Sequence, residues 1–280
     1  MKRREFIWLA GTAAAWPVAA WAQQPARLLR IGTLVNYAEA DPVGKSFVTG
    51  FVRRLATLGW VENQNLIIDL RWSGGDVNRL SAYARELVFL QPAAILSHTT
   101  PATIALKQET QNIPIVFVAI SDPVDTGLVE SLAHPGGNIT GFVNIEAALA
   151  GKWLELLKEV TPRLSRVPMM FNPETAPFAR HYLAPLEKLG SASNIIVVSA
   201  PVRSEAEIEK AITELGREPG GGMILINDIY SFVHRKLINS LTITNKIPAV
   251  FFKDGGQLAV LWREQRVIRS RSSREVGSIQ

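Results

Sequence analysis

Four predicted helices begin with a polar residue followed by proline, a pairing that can create a site for an anion. The pairs are Asp41-Pro42, Thr100-Pro101, Asp122-Pro123 and Asn172-Pro173. Proline suits the first helical position because its missing N–H has no partner there, and the preceding side chain can accept from N–H groups one turn further on. The N–H groups that stay unpaired attract a carboxylate or a phosphate. The pattern is typical of well-capped loops or of a ligand cleft.

More specific chemical motifs are missing from the sequence. Gly44-Lys45-Ser46 resembles the end of a phosphate-binding loop, but that motif needs glycine at position 39, where Glu39 stands. Gly220-Gly221-Gly222 lacks the spacing of a dinucleotide loop, and we interpret it as a turn. The chain has no cysteine, and its histidines are scattered, at His98, His134, His181 and His234. Because no metal-ligand spacing appears, we predict neither a metal ion nor a cofactor.

One combination remains for catalysis, in which Ser97 and His98 would act together with Asp122. Successive residues of a strand point to opposite faces, so Ser97 and His98 are poorly placed as nucleophile and base. We therefore predict no catalytic residue. An α/β enzyme that uses the same cleft stays as an alternative.

Apolar runs of strand length alternate with segments of helical periodicity from Leu29 to Phe252. This alternation predicts parallel sheets covered by helices, and 280 residues suffice for two lobes with separate cores. At the centre of the chain, a strand to Ile120 is followed by a predicted helix from Pro123 to about Leu132. We interpret the segment from Gly136 to Gly141 as the hinge between the lobes. The polar ends of the parallel strands meet at one edge, which predicts a ligand cleft there.

The charge of the chain is concentrated at its two ends. The formal net charge is +5, but residues 23–250 carry 21 basic and 21 acidic side chains. A basic face for nucleic acid therefore has no support in the body of the protein. The basic residues after position 250 leave a nucleic-acid or anionic-membrane arm as an alternative for the tail alone.

Residues 1–22 have the three-part pattern of an export signal. A basic start at Lys2-Arg3-Arg4 precedes an apolar run from Phe6 to Ala20, and Ala20-Trp21-Ala22 supplies small residues for cleavage. Arg3-Arg4-Glu5-Phe6 also resembles a twin-arginine signal. We expect a periplasmic protein, with an amphipathic helix of a cytosolic protein as the alternative. No disulfide can stabilise the exported chain because it has no cysteine.

Several longer motifs resemble one known family, the periplasmic substrate-binding proteins of ABC importers, in the group that includes tryptophan- and tyrosine-binding members. They are Leu58-Gly59-Trp60-Val61-Glu62, Gln64-Asn65-Leu66, Ile113-Pro114-Ile115-Val116-Phe117, Asp122-Pro123-Val124, Thr126-Gly127-Leu128-Val129 and Leu132-Ala133-His134-Pro135-Gly136-Gly137-Asn138-Ile139-Thr140-Gly141. The resemblance implies a type I periplasmic-binding-protein fold with two Rossmann-like lobes. It also implies a monomer that binds an amino acid or a similar carboxylate between the lobes, delivers it to a membrane permease, and catalyses no reaction.

The resemblance also implies, position by position, which residues line the cleft. These are Asn36, Thr99, Thr100, Ser121 and Asp122 from the first lobe and Asn172, Asn227 and Asp228 from the second. Asp122 and Asp228 suit a ligand amino group, and the helix start at Thr99-Thr100 suits a carboxylate. The alternative for each residue is a capping role in a loop without ligand contact.

The sequence departs from the family pattern mainly at its C-terminus. We predict a signal at 1–22, lobe 1 at 23–142, lobe 2 at 143–252 and an aberrant basic tail at 253–280, with the C-terminal part of the fold incomplete. A truncated receptor without function is therefore a further alternative. Asn63 replaces a usual glycine, which asparagine can do where the backbone is left-handed, and Pro168 interrupts a predicted central strand.

Overall fold

The computed structural model describes residues 28–145, 150–253, 257–262 and 266–269. The predicted export signal, residues 1–22, lies outside these ranges. Within them, no helix combines the length and the apolar composition that crossing a membrane requires.

Lobe 1 is a parallel five-stranded sheet in the order β2-β1-β3-β4-β5. Its strands are β1 (Leu29–Val35), β2 (Leu66–Trp72), β3 (Ala94–His98), β4 (Ile115–Ser121) and β5 (Ile139–Ile145). The helices between them are α1 (Pro42–Thr57), α2 (Val77–Phe89) and α3 (Thr100–Glu109). This order places a topological switch point between β1 and β3, because the connection that follows β1 leads to the strand on one side and the connection that follows β3 leads to the strand on the other.

Lobe 2 repeats this arrangement in a six-stranded sheet of order β11-β10-β9-β8-β6-β7. Its parallel strands are β6 (Arg166–Phe171), β7 (Ile196–Pro201), β8 (Met223–Leu225) and β9 (Ala249–Lys253). The helices are α4 (Ala150–Val160), α5 (Ala179–Ala192), α6 (Glu205–Gly216), α7 (Ile229–Val233) and α8 (Arg235–Thr244). The second switch point lies between β6 and β8. The predicted fold class, two lobes of parallel sheet flanked by helices, is confirmed.

Each lobe buries its own hydrophobic core. In lobe 1, apolar residues of β1, β3 and β4 pack with those of α2 and α3 in one cluster. In lobe 2, two clusters lie on the two faces of the sheet, and the rings of Trp153 and Tyr182 stack 5.3 Å apart between α4 and α5. The helical periodicity of the sequence predicts these buried faces because residues three and four apart share one side of a helix.

Two of the four polar residue–proline pairs do not begin helices, contrary to the prediction. The segment after Asp122 forms turns instead of a helix to Leu132, since Gly127 has φ +68° and its N–H bonds to the carbonyl of Val124. A left-handed glycine ends a helical turn rather than continuing it. Asn172 likewise precedes a turn, and α5 begins only at Ala179.

The segment predicted as the hinge, Gly136–Gly141, leads into strand β5 of the lobe 1 sheet. Strand β5 pairs in parallel with β4 from Ile139 onward and continues to Ile145, beyond the expected end at Val143. The two strands pack closely at Gly141, because a Cβ there would overlap the carbonyl oxygen of Phe117 in β4. The chain therefore reaches lobe 2 only after Ile145, four residues C-terminal to Gly141.

Part of the predicted tail continues the sheet of lobe 2. β10 (Gln257–Trp262) pairs antiparallel with β9, and β11 (Arg266–Arg269) pairs antiparallel with β10.

The two other departures from the family pattern lie at Asn63 and Pro168. The backbone at Asn63 is left-handed, with φ 63°, a conformation in which asparagine can replace glycine. Pro168 lies within β6 opposite Val198, and β6 pairs with its other neighbour, β8, from Met169 onward.

We predict that Gly141→Ala destabilises the protein by about 1–3 kcal/mol, because the new methyl group forces β5 away from β4. Urea unfolding followed by circular dichroism measures the change. Gly137→Ala is the matched control, since a Cβ at position 137 meets no atom within 4 Å. Equal midpoints and slopes for the two variants would contradict the close approach of the strands.

Candidate functional site

A cleft between the lobes joins the two switch points and encloses about 460 Å³ of space, part of it open to solvent. Lobe 1 lines the cleft with Tyr37, His98, Thr99, Thr100, Pro101, Ala119 and Ser121. Lobe 2 lines it with Thr175, Phe178, Asn227, Asp228, Ile229 and Phe232. Each group follows the carboxyl ends of parallel strands, where ligands of such sheets bind.

Thr99 holds a strained backbone at the first switch point. Its φ is +83° and its ψ is 158°, a conformation that a β-branched residue rarely adopts. Asn36 stabilises this conformation by donating a hydrogen bond from Nδ2 to the Thr99 hydroxyl at 2.9 Å. The side-chain oxygen of Asn36 accepts from the Ser73 hydroxyl at 2.5 Å. Asn36 is completely buried and lies next to Thr99, but it is not among the residues that line the cleft.

The start of helix α3 faces the cleft without a side-chain cap. The Thr99 hydroxyl accepts from Asn36 and makes no capping hydrogen bond to α3. Thr100 and Pro101, the first residues of the helix, line the cleft, and the Thr100 hydroxyl accepts from the N–H of Ser121 at 3.4 Å. The partial positive charge of the helix N-terminus therefore acts on whatever occupies this end of the cleft.

A bulge in β4 places two residues at the same wall. The register with β5 shifts between Phe117 and Ile120 and again between Ile120 and Ser121, and Ala119 has φ 56°. A bulge re-aims the side chains beyond it. Ala119 and Ser121 both line the cleft, as the sequence predicted for Ser121.

Asp228 is the acidic residue of the cleft, and the loops of lobe 2 are built around it. One carboxylate oxygen accepts from the Thr175 hydroxyl and, at 2.9 Å, from the N–H of Tyr230. The other accepts from the N–H of Asn172 at 2.9 Å and lies 3.5 Å from the Ser231 hydroxyl. Burial raises the pKa of Asp228 above its ordinary value, although these hydrogen bonds oppose the shift.

No lysine or arginine among the described residues lines the cleft. The imidazole of His98 is also uncharged near neutral pH, because burial lowers its pKa to about 4. His98 lies against the rings of Tyr37 and Phe47, with centroids 4.7 and 5.2 Å away. The carboxyl group of Asp228 thus lies at the cleft without a cationic side chain from the described part of the lining.

Two other predicted residues do not line the cleft. Asn172 is buried and uses its side-chain oxygen to accept from the N–H groups of Glu174 and Thr175, at 2.8 and 3.4 Å. Asp122 has φ 45°, and its carbonyl accepts from the N–H and the hydroxyl of Thr126. Of the eight predicted residues, the structure brings together Thr99, Thr100, Ser121, Asn227 and Asp228.

Sequence reasoning missed the aromatic walls of the cleft, Tyr37, Phe178 and Phe232. The ring of Tyr37 meets that of Phe232 edge-on, with centroids 5.0 Å apart, so the two lobes touch there. One signal was available for Tyr37, which follows β1 by two residues at the predicted polar strand end, Asn36-Tyr37. Phe178 and Phe232 lie in irregular or short helical segments, where an aromatic residue is normally assigned to the core.

Ser97 and His98 do not form a catalytic pair, because their side chains lie in different environments. The Ser97 hydroxyl is completely buried and bonds to that of Thr103 at 2.7 Å, whereas His98 lines the cleft. The described residues also contain no group of three or more potential metal ligands. The site is thus equipped to bind a small molecule through charge, helix N–H groups and aromatic contact.

Several known proteins are similar to this chain in sequence and in fold. A tyrosine-binding protein of Clostridioides difficile is 27% identical over 234 residues, which are 80% of this chain and 63% of that protein. The chain therefore spans less than two thirds of the length of this relative. An ABC domain from Streptococcus pneumonia, solved in complex with L-Trp, has a TM-score of 0.69 and 23% identity over 80% of this chain and 74% of that one. A conserved domain protein from Vibrio cholerae has a TM-score of 0.68 and 24% identity over 80% and 73%.

The sequence model of one family matches most of the chain, over residues 38–257. This range begins just after Tyr37, contains β2 to β9 and ends at the first residue of β10. It therefore includes four of the five strands of the first sheet, the four parallel strands of the second and the whole cleft lining except Tyr37. The chain belongs to the family of ABC transporter substrate binding proteins.

Proposed function

We propose that this protein is the extracytoplasmic solute-binding component of an ABC-type import system and binds an amino acid or a similar carboxylate between its lobes. One observation carries the proposal: Asp228 is buried at the cleft and has no cationic partner among the described residues. A buried charge without a partner is costly, so a ligand that supplies a positive charge gains affinity by compensating it.

The opposite charge of the ligand has a place at the other side of the cleft. The uncapped start of α3 offers backbone N–H groups and a partial positive charge, with the Thr100 and Ser121 side chains beside it. A molecule with an ammonium group near Asp228 and a carboxylate near α3 satisfies both ends. Free α-amino acids have both groups.

The walls favour an apolar or aromatic side chain on the ligand. Tyr37, Phe178 and Phe232 contribute three aromatic rings to the cleft. Aromatic pairs gain about 0.5–1.5 kcal/mol beyond their area burial. Two relatives agree with this, because one is a tyrosine-binding protein and the other was solved in complex with L-Trp. We propose an aromatic amino acid as the first ligand to test.

The remaining parts of the proposal follow from the family. Residues 1–22 would direct export to the periplasm, with the twin-arginine route as one possibility. The loaded monomer would deliver its ligand to a membrane permease, with no reaction at the cleft and no contact with nucleic acid. The alternatives are a receptor fragment without function and an α/β enzyme that uses the same cleft.

The first prediction concerns the ligand itself. In a thermal-shift screen of the twenty amino acids, we expect L-tyrosine or L-tryptophan to raise the melting temperature, because a ligand at a hundredfold excess over Kd stabilises the folded state by about 2.7 kcal/mol. A low, broad melt unchanged by any amino acid would favour the non-functional fragment. Consumption of an added amino acid, lost in His98→Ala, would favour the enzyme.

The second prediction concerns the charge of Asp228. Asp228→Asn should weaken binding of the amino acid found in the screen by about 2–5 kcal/mol, the usual cost of removing one partner of a buried charge pair. Isothermal titration calorimetry measures the loss. Asp69→Asn, at a carboxylate paired with Arg30 outside the cleft lining, is the control and should bind normally.

The same carboxylate predicts a pH dependence. The ligand ammonium binds the ionised form, and burial raises the pKa of Asp228 in the free protein. Affinity should therefore fall as the pH decreases through this raised pKa, in a range where an exposed carboxyl, with a pKa of about 3.9, stays ionised. Titrations at several pH values test this. The same fall in Asp228→Asn would show that another group is responsible.

A further inference from the structure

An ion pair joins the two lobes directly beside the cleft. Nη2 of Arg235, the first residue of α8, lies 3.1 Å from Oδ2 of Asp41 in lobe 1. The Asp41 side chain is 14% exposed and that of Arg235 is 32% exposed. The pair is therefore partly shielded from water, and its interaction is less screened than that of a fully exposed pair.

Asp41 is fixed by its own lobe. Its Oδ1 accepts from the N–H groups of Val43 and Gly44, at 2.8 and 3.3 Å, and so caps helix α1. A Cβ at Gly44 would come within 2.7 Å of Tyr37, which shows that the start of α1 packs against this aromatic wall. Lobe 1 thus presents the carboxylate of Asp41 and the ring of Tyr37 as one rigid surface.

Arg235 is fixed by lobe 2 in a matching way. Its Nη1 donates to the carbonyl of Phe232 at 2.8 Å, and its guanidinium lies over the Phe232 ring, 4.1 Å from the centroid. A guanidinium at this distance from an aromatic face is attracted to it. Phe232 lines the cleft and contacts Tyr37 of lobe 1. Asp41, Arg235, Phe232 and Tyr37 therefore form a closed chain of contacts that crosses from one lobe to the other twice.

We infer that Arg235 is a positioning residue that holds the lobes closed and keeps Phe232 against the cleft, with or without ligand. It does not line the cleft and acts through Phe232 and Asp41. The role as a retention device for the bound amino acid rests on the proposed function. Loss of the ion pair should speed ligand release far more than it slows binding, because most affinity changes in related complexes lie in the dissociation rate.

The chain offers a matched pair of variants. Asp41→Asn removes the charge that Arg235 contacts, while asparagine still caps α1 well. Asp76→Asn is the control, because Asp76 caps α2 at Asn78 and Arg79 and pairs with Arg79 at 3.6 Å within lobe 1. Both variants lose one helix-capping charge, but only Asp41→Asn affects the contact between the lobes. Arg235→Gln tests the same contact without changing the cap of α1.

A ligand-free measurement tests the inference independently of the proposed function. The chain has no cysteine, so two introduced cysteines would be the only sites that take a spin label. We choose Glu62→Cys in lobe 1 and Lys210→Cys in lobe 2, both at exposed positions. In double electron–electron resonance, we expect the parent to show a closed, short-distance population that shrinks in Asp41→Asn and Arg235→Gln but not in Asp76→Asn. The absence of that population in the parent, or equal distributions in all variants, would overturn the inference.

Dissociation of L-tyrosine gives the second measurement. We expect release to be about three- to tenfold faster in Asp41→Asn and Arg235→Gln, with little change in the association rate. Asp76→Asn should match the parent. Unchanged release in both lobe-contact variants would contradict the retention role, whereas no binding of L-tyrosine to the parent would count against the proposed aromatic ligand and leave the label distances to decide the closure.

Discussion

The burial of the Asp228 carboxylate is the constraint on which the second lobe depends. Its two oxygens accept from the backbone at Asn172 and Tyr230 and from the Thr175 hydroxyl, so one charged group satisfies donors from the ends of two neighbouring strands. Without it, those N–H groups would be buried without partners, which costs about 1–3 kcal/mol each. The side chain that holds these loops together is therefore the same one for which we propose contact with a ligand ammonium group.

The first lobe solves the same problem with neutral groups. Asn36 uses both ends of its amide within the protein, toward Thr99 and Ser73, and thereby holds Thr99 in a backbone conformation that costs about 1–3 kcal/mol. The Thr99 hydroxyl accepts from Asn36 and makes no capping hydrogen bond to α3. The start of that helix stays open to the cleft, so a buried amide behind the wall creates the electrostatic property of the wall itself.

The sequence predicted the alternation of strands and helices and the edge at which the cleft forms, because periodicity and strand ends are local features. It did not separate Thr100 and Asp228, which line the cleft, from Asn36 and Asn172, which lie behind it. All four follow strands and are buried, and only the packing of the loops decides which of them borders the cleft. Phe178 and Phe232 were missed because the sequence does not distinguish an aromatic ring in a core from one in a cleft. The predicted helix after Pro123 was wrong because Gly127 has a left-handed backbone, which depends on the turn around it and is not visible in the sequence.

The close approach of Gly141 to Phe117 has a mechanical consequence. Strand β5 leads toward lobe 2, and at this point it is packed against the backbone of β4, the strand that ends in Ser121. At Gly141, β5 therefore cannot shift toward β4 without moving the backbone of the strand that carries Ala119 and Ser121 of the cleft wall. The strand that leads out of lobe 1 and one wall of the cleft thus belong to a single pair of strands.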